Sequence, residues 1–572
     1  MYYLSFQTFF IFSLLNSAIS GLLNYKPAGV YNIENNTVTE YLGIPYAKPP
    51  TGKLRFMPPE EIDELKENKT FEAKYPAATC PQFIPPNIFP YNFSGFSVWY
   101  PPRNISEDCL QLNLWQPEKT TGGVIVMIHG GAYYSLSASL DIFNGSVLAA
   151  VARSVVVTIN YRIGALGFAR WKDGKNITGN MGLLDQQMAL KWINQNIHLF
   201  GGKKDKVTLI GEHAGSSSAV AHLFAEGSKN FFSKIITASG TLENIWATQP
   251  NEYIENSTVL LAKNLSCADK TDVLSCLQNI SDPMAFVNSS NIVRRQMGLS
   301  FGFPFAITQH DGKFFKTNIS DMSIDKDMKK NFSIMLGDTG NEGSFFLYNY
   351  FGKFGCTINF TNVEDPSHQC LINNTAFENI TQIITNVLGK DEEWRKKLQD
   401  QYGYNKDSNE DKVKNRNMLS KIMSDILFDC GLKRFAEQIV NTTSSKVYYY
   451  IYNYTFSSNP WPKWMGAVHA SSMEAVFGYP YRYPQLYSSA LIEKDKNISS
   501  YIMKIYGNFS SGTTLYSELY EYNRTSKNVG VLDSMLTGPF PKYYINDSYT
   551  QKCDLFSPYI LKPKINETIS KK

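Results

Sequence analysis

No apolar run in this chain reaches the roughly 20 residues that a bilayer-spanning helix needs, and a mean hydropathy of −0.26 excludes a multi-span membrane protein. An excess of one charge is also missing: 55 Lys and Arg face 51 Asp and Glu, a net +4 over 572 residues. That balance predicts no nucleic-acid partner and no polybasic membrane patch. Charged residues make up only 19%, against 43% hydrophobic and 14% aromatic. Disordered, collagen-like and coiled-coil chains are thereby excluded, and there is ample material for a large buried core. Internal repeats and long linkers are absent as well.

What is present first is a processing signal. Phe6 to Leu15 is apolar, and Ala18-Ile19-Ser20 places small residues before Gly21. Residues 1–20 read as a signal peptide and 21–572 as one domain. The eight cysteines, an even number, suit disulfides in a secreted chain but leave 105 connectivities open. About twenty Asn-x-Ser/Thr sites, among them Asn35, Asn92, Asn104, Asn256, Asn359 and Asn453, predict a glycosylated extracellular surface. Ser557 to Lys572 is polar, so no lipid or membrane anchor is expected there.

The body of the chain alternates strands with helices. Val124–His129 and Val155–Ile159 are short apolar β-type runs, Asn180–Phe200 has helical spacing, and Val207–Ile210 is a third strand followed by Gly211. Buried strands alternating with helices predict an α/β fold with a large, mainly parallel central sheet flanked by helices. Chemistry in such sheets sits at the carboxyl ends of the strands, where Gly130-Gly131 and Gly211 fall.

The segment from Val207 to Ala219 reads strand, Gly-x-x-x-Gly turn, helix. Such a turn normally reads Gly-x-Ser-x-Gly and lifts its central side chain above the sheet. Here the centre is His213, between Gly211 and Gly215. With Gly43-Ile-Pro-Tyr-Ala47, Ser106-Glu-Asp-Cys-Leu110, Met181-Gly-Leu-Leu-Asp-Gln186, Trp461-Pro-Lys-Trp-Met-Gly466 and Glu474-Ala-Val-Phe-Gly478, the chain resembles the type-B carboxylesterase and cholinesterase family of α/β-hydrolases, nearest its acetylcholinesterase branch. The resemblance implies Glu342 as triad acid, His469 as triad base, and the N–H groups of Gly131, Ala132 and Ala214 as oxyanion hole. It puts the nucleophile at position 213, where a hydroxyl is missing. It also implies the pairs Cys80–Cys109, Cys267–Cys276 and Cys430–Cys553, leaving Cys356 and Cys370 for each other.

Acyl transfer in such a triad needs a serine oxygen delivered to the carbonyl by the histidine base. Losing one triad member costs roughly 10⁴–10⁶ in turnover. Ser216, Ser217 and Ser218 lie beyond the turn, on the helix start. For His213 several readings stay open: a dead site, an acyl-imidazole nucleophile, a metal site shared with His469 and a carboxylate, or a structural or gating part. No cofactor and no resident metal are expected. The acidic and basic groups nearby, Glu212 and Glu342 with His213 and His469, are expected to titrate as one set.

The binding residues implied by the resemblance are better kept. Trp99 matches the choline-site indole, worth about 2 kcal/mol or more to a quaternary ammonium. Glu212, Tyr134, Trp246, Phe345 and Phe346 match cavity positions, and Phe301 and Phe303 the acyl pocket. Departures are Ala132 for a third glycine, Asn349 for a tyrosine, and Pro86 or Asn87 where an acidic residue belongs at the mouth. The expectation is a secreted pseudoenzyme that holds acetylcholine, choline or another quaternary ammonium compound. The alternatives are an adhesion module with an extracellular protein partner, and a weak or altered carboxylic ester hydrolase.

Overall fold

The computed structural model describes residues 25–556, except 63–69, 87–89, 172–176, 299, 407–408, 513–518, 535–543 and 547–550. The leader at 1–20, the tail from 557 and Asn87 lie outside the described residues.

An eleven-stranded sheet forms the centre of the molecule. Its strands, in chain order, are β1 (Gly29–Ile33), β2 (Asn36–Pro45), β3 (Gln111–Pro117), β4 (Val124–Ile128), β5 (Val155–Ile159), β6 (Val207–Glu212), β7 (Lys234–Ala238), β8 (Ser333–Thr339), β9 (Lys446–Tyr452), β10 (Asn528–Leu532) and β11 (Tyr544–Asn546). Across the sheet they run β1-β2-β3-β5-β4-β6-β7-β8-β9-β10-β11. From β5 to β10 every pairing is parallel, while both margins are antiparallel. The mainly parallel α/β sheet read from the sequence is therefore present, with the arrangement of an α/β-hydrolase.

Strands β4, β5 and β6 are buried at every position. A parallel strand covered on both faces meets protein on each side, so it is apolar throughout. Along β4 the side chains divide by parity. Val124, Val126 and Ile128 enter one core, Ile125 and Met127 the other.

Two boundaries differ from the sequence reading. The helix α1 is Met181–Asn196, and Ile197–Phe200 tightens into a 3₁₀ turn closed by Gly201 at φ 78°. Left-handed glycine is the usual end of such a turn. Strand β6 runs two residues past Ile210, because Gly211 and Glu212 still pair with Thr237 and Ala238 of β7. A buried ion pair, Arg162 to Asp185 at 2.6 Å, locks α1 to the loop after β5.

Four disulfides form: Cys80–Cys109, Cys267–Cys276 and Cys430–Cys553 as the resemblance implied, and Cys356–Cys370 between the two cysteines it left over. The first closes the loop that carries Trp99. The last ties helix α4 (Cys430–Thr442) to the chain 123 residues later.

Candidate functional site

The site starts at the end of β6. His213 has φ 51° and ψ −116°, and the helix α2 (Ala214–Ala221) begins directly after it. Few residues other than glycine tolerate that conformation. The flanking glycines make the bend sterically possible. A Cβ on Gly215 would lie 2.0 Å from the Ile128 carbonyl oxygen, and one on Gly211 would lie 2.3 Å from the Gly215 carbonyl carbon. The turn is thus compressed between β4 and its own helix, and the His213 side chain is thrust out at the carboxyl end of the sheet. Its N–H donates to the Ala238 carbonyl at 2.8 Å.

Two further loops meet this turn. Glu342 opens helix α3 (Glu342–Phe351) just after β8. It is fully buried, accepts from the Thr339 N–H at 2.8 Å and from the Ser239 hydroxyl, and faces His469 Nδ1 at 2.6 Å. Asn341 joins the two loops: its N–H donates to Ala467 O at 3.1 Å, and its side-chain oxygen accepts from Ala467 N–H at 3.3 Å. A Cβ on Gly466 would strike that oxygen at 2.1 Å, so the approach requires glycine.

The other ring nitrogen of His469, Nε2, lies 3.1 Å from Glu212 Oε1. The imidazole is therefore clasped between two carboxylates. Burial opposes its charged form, but Glu342 and Glu212 together outweigh it and push His469 up to about 10. His213 moves the opposite way. Its burial, then the charge on His469, hold it well below the usual histidine range. The two rings are thus pushed in opposite directions, His469 toward its protonated form and His213 toward its neutral one, with centroids 5.0 Å apart and nearly perpendicular planes. His213 packs 4.2 Å from Trp246, 5.9 Å from Phe428 and 6.1 Å from Phe303.

Above this cluster opens a cavity of about 1000 Å³. Of the residues named from the sequence, Trp99, Gly131, Ala132, Tyr134, Glu212, His213, Phe303, Phe345, Phe346 and His469 border it. Gly131 and Ala132 both adopt positive φ, at 86° and 54°. Ala214 heads α2 beneath the cavity and does not border it. Trp246 and Phe301 do not border it either. The Trp246 indole lies under the His213 ring and donates to the Leu427 carbonyl at 2.7 Å. Phe301 is buried edge-on against Tyr350, 5.7 Å between centroids. Asn349 does line the cavity.

The sequence reading missed three aromatics. Trp461 borders the cavity and stands 5.6 Å edge-on to Phe345. Its motif was visible, but not its direction. Tyr350 also lines the wall. Phe428 sits 4.6 Å from His469, carried on a π-helical turn, Asp425–Asp429, that no sequence signal marked.

None of the three serines after the turn presents its hydroxyl to the cavity. Ser216 donates to Gly211 O at 2.5 Å and Ala238 O at 2.9 Å, and Ser217 to Thr241 O at 2.9 Å. All three are buried away from the cavity. Among the described residues no group of three His, Cys, Asp or Glu side chains is arranged to hold a metal ion.

A tight Gly-x-x-x-Gly turn between strand and helix, a buried carboxylate–histidine pair and a cavity at the sheet's carboxyl end define the α/β-hydrolase fold. Comparison with known proteins narrows this further. Residues 28–532 match the model of the carboxylesterase family, and the chain belongs to that family. It is 33% identical over 503 residues to acetylcholinesterase 4 of Caenorhabditis briggsae, covering 83% of this chain and 78% of that one. It is 33% identical to the acetylcholinesterase of Electrophorus electricus, covering 83% and 77%. To the cholinesterase of Mus musculus it is 32% identical, covering 83% and 75%. It is a cholinesterase-like carboxylesterase-family protein.

Proposed function

We propose that this is a secreted, glycosylated, cholinesterase-like protein without ester-hydrolase activity, whose cavity captures choline esters and other quaternary ammonium ligands intact. The observation that carries the reading is the state of the two histidines. His213 occupies the apex where an esterase needs its serine oxygen. His469, paired to Glu342 at 2.6 Å and to Glu212 at 3.1 Å, is held as a cation. A protonated imidazole accepts no proton, so the base is silenced along with the nucleophile.

The wall supports capture. Trp99, Phe345, Phe346, Trp461 and Tyr479 border the same cavity as Glu212. Two carboxylates against one imidazolium leave one net negative charge beneath an aromatic enclosure, which suits a desolvated cation. Secretion is supported by four disulfides, and glycosylation by the exposure of Asn35, Asn92, Asn104, Asn256 and Asn453. No helix among the described residues is long and apolar enough to cross a membrane.

One observation favours a second reading. Phe83, Tyr91, Tyr134 and Leu486 are exposed apolar residues that ring the cavity mouth, as an extracellular protein partner would need. Proton NMR of acetylcholine with the purified protein, followed over hours, separates the readings. Saturation transfer to intact acetylcholine is the expected result. Protein-dependent release of acetate and choline refutes inactivity. Silence in both refutes capture and turns attention to the rim.

A further inference from the structure

Charged side chains border the cavity at two ends. The buried end holds Glu212 beside His469, and Glu474 and Trp99 border the same cavity. The mouth holds Arg294, among the described residues the one Arg or Lys side chain that borders the cavity. Arg294 lies near the end of the helix Met284–Met297, is exposed, and stands 5.7 Å over the Tyr134 ring. Among the described residues its guanidinium is engaged by that aromatic face rather than by a carboxylate. Its charge also acts on the Tyr350 hydroxyl further along the wall.

A continuous aromatic wall joins the two ends. His213 is 6.1 Å from Phe303, Phe303 is 6.1 Å from Tyr134, and Tyr134 is 5.7 Å from the Arg294 guanidinium carbon. A chain running up this wall from the turn meets a cation at the top. A simple ammonium compound gains nothing from that cation and is repelled by it on the way in. A guanidinium fork matches a carboxylate.

Building on the quaternary-ammonium reading above, we propose that the cavity selects a zwitterion: a trimethylammonium group at Trp99 and Glu212, joined by an acyl chain along Phe303 to a free carboxylate at Arg294. The ligand class is the half-ester of a dicarboxylic acid with a quaternary amino alcohol. No bond is made or broken.

The test measures dissociation constants by calorimetry on the full-length protein for the choline half-esters of succinic, glutaric and adipic acid. Each is compared with the straight-chain alkanoylcholine of equal acyl carbon count, which replaces the carboxylate by a methyl group. At least one half-ester is expected to bind threefold or more tighter than its partner. Arg294→Gln is expected to bring that ratio close to one. Arg295→Gln, on the same helix and outside the cavity lining, is expected to leave it in place. If alkanoylcholines bind and no half-ester binds tighter, or the preference survives Arg294→Gln, the zwitterion proposal is overturned while cation capture stands. If neither series binds, the capture reading itself falls.

Discussion

On the reading proposed above, His213→Ser supplies a serine oxygen but leaves His469 clasped by Glu212 and Glu342, and the size of the resulting effect follows from that geometry. His213 is neutral, so removing it leaves both carboxylates on His469. With His469 at about 10, roughly one molecule in a thousand carries a neutral base at pH 7. The variant should therefore hydrolyse acetylcholine only weakly at neutral pH. Its kcat/KM should climb close to tenfold per pH unit from 7 to 9 and flatten near 10. Adding Glu212→Gln removes one of the two clasping charges, so the rise should begin at lower pH. The assay is a pH-stat titration of acetylcholine hydrolysis from pH 6 to 10.5, with the spontaneous alkaline reaction subtracted. A flat profile between pH 7 and 9 in His213→Ser would refute the clasp, because it would require an unpaired imidazole.

Three other outcomes are expected. Trp99→Ala should weaken tetramethylammonium binding about 30-fold, the equivalent of about 2 kcal/mol of cation–π attraction, read by calorimetry; an unchanged affinity would move the cation site elsewhere. His129, His213 and His222 are all buried and held neutral, at about 4 for His129, well below 6.5 for His213 and about 3 for His222. The unfolded chain takes up those protons first, so the urea midpoint should fall as pH drops from 6.5 toward 4, and His222→Gln should shallow that fall. Gly215→Ala drives a methyl group into the Ile128 carbonyl at 2.0 Å and should cost about 3 kcal/mol or more, seen as lost secreted yield or a lower melting temperature.

Much of the frame was legible in the residues. Val124–Ile128 and Val155–Ile159 have no polar alternation, as suits strands covered on both faces of the sheet. Gly211 and Gly215 announced a compressed turn, and the structure shows the carbonyl oxygen and helix backbone that forbid a Cβ there. Less legible was which aromatics face the cavity. Trp246, Phe301 and Trp461 are all conspicuous in the sequence, yet only Trp461 borders it. An indole's direction depends on what it packs against, and Trp246 is spoken for by His213 and the Leu427 carbonyl.

By itself the sequence determined the sheet, the strained turn and the absence of a hydroxyl at its apex. These rest on local rules: apolar runs make strands, glycines permit bends, and a residue's identity fixes its chemistry. The surroundings of His469 were decided only in three dimensions. Glu212 ends strand β6, Glu342 opens helix α3 and His469 lies on a loop far along the chain from both, and nothing in their spacing says that one imidazole will meet both acids. Charge interactions depend on distance and burial, which exist only after the sheet has brought those segments together.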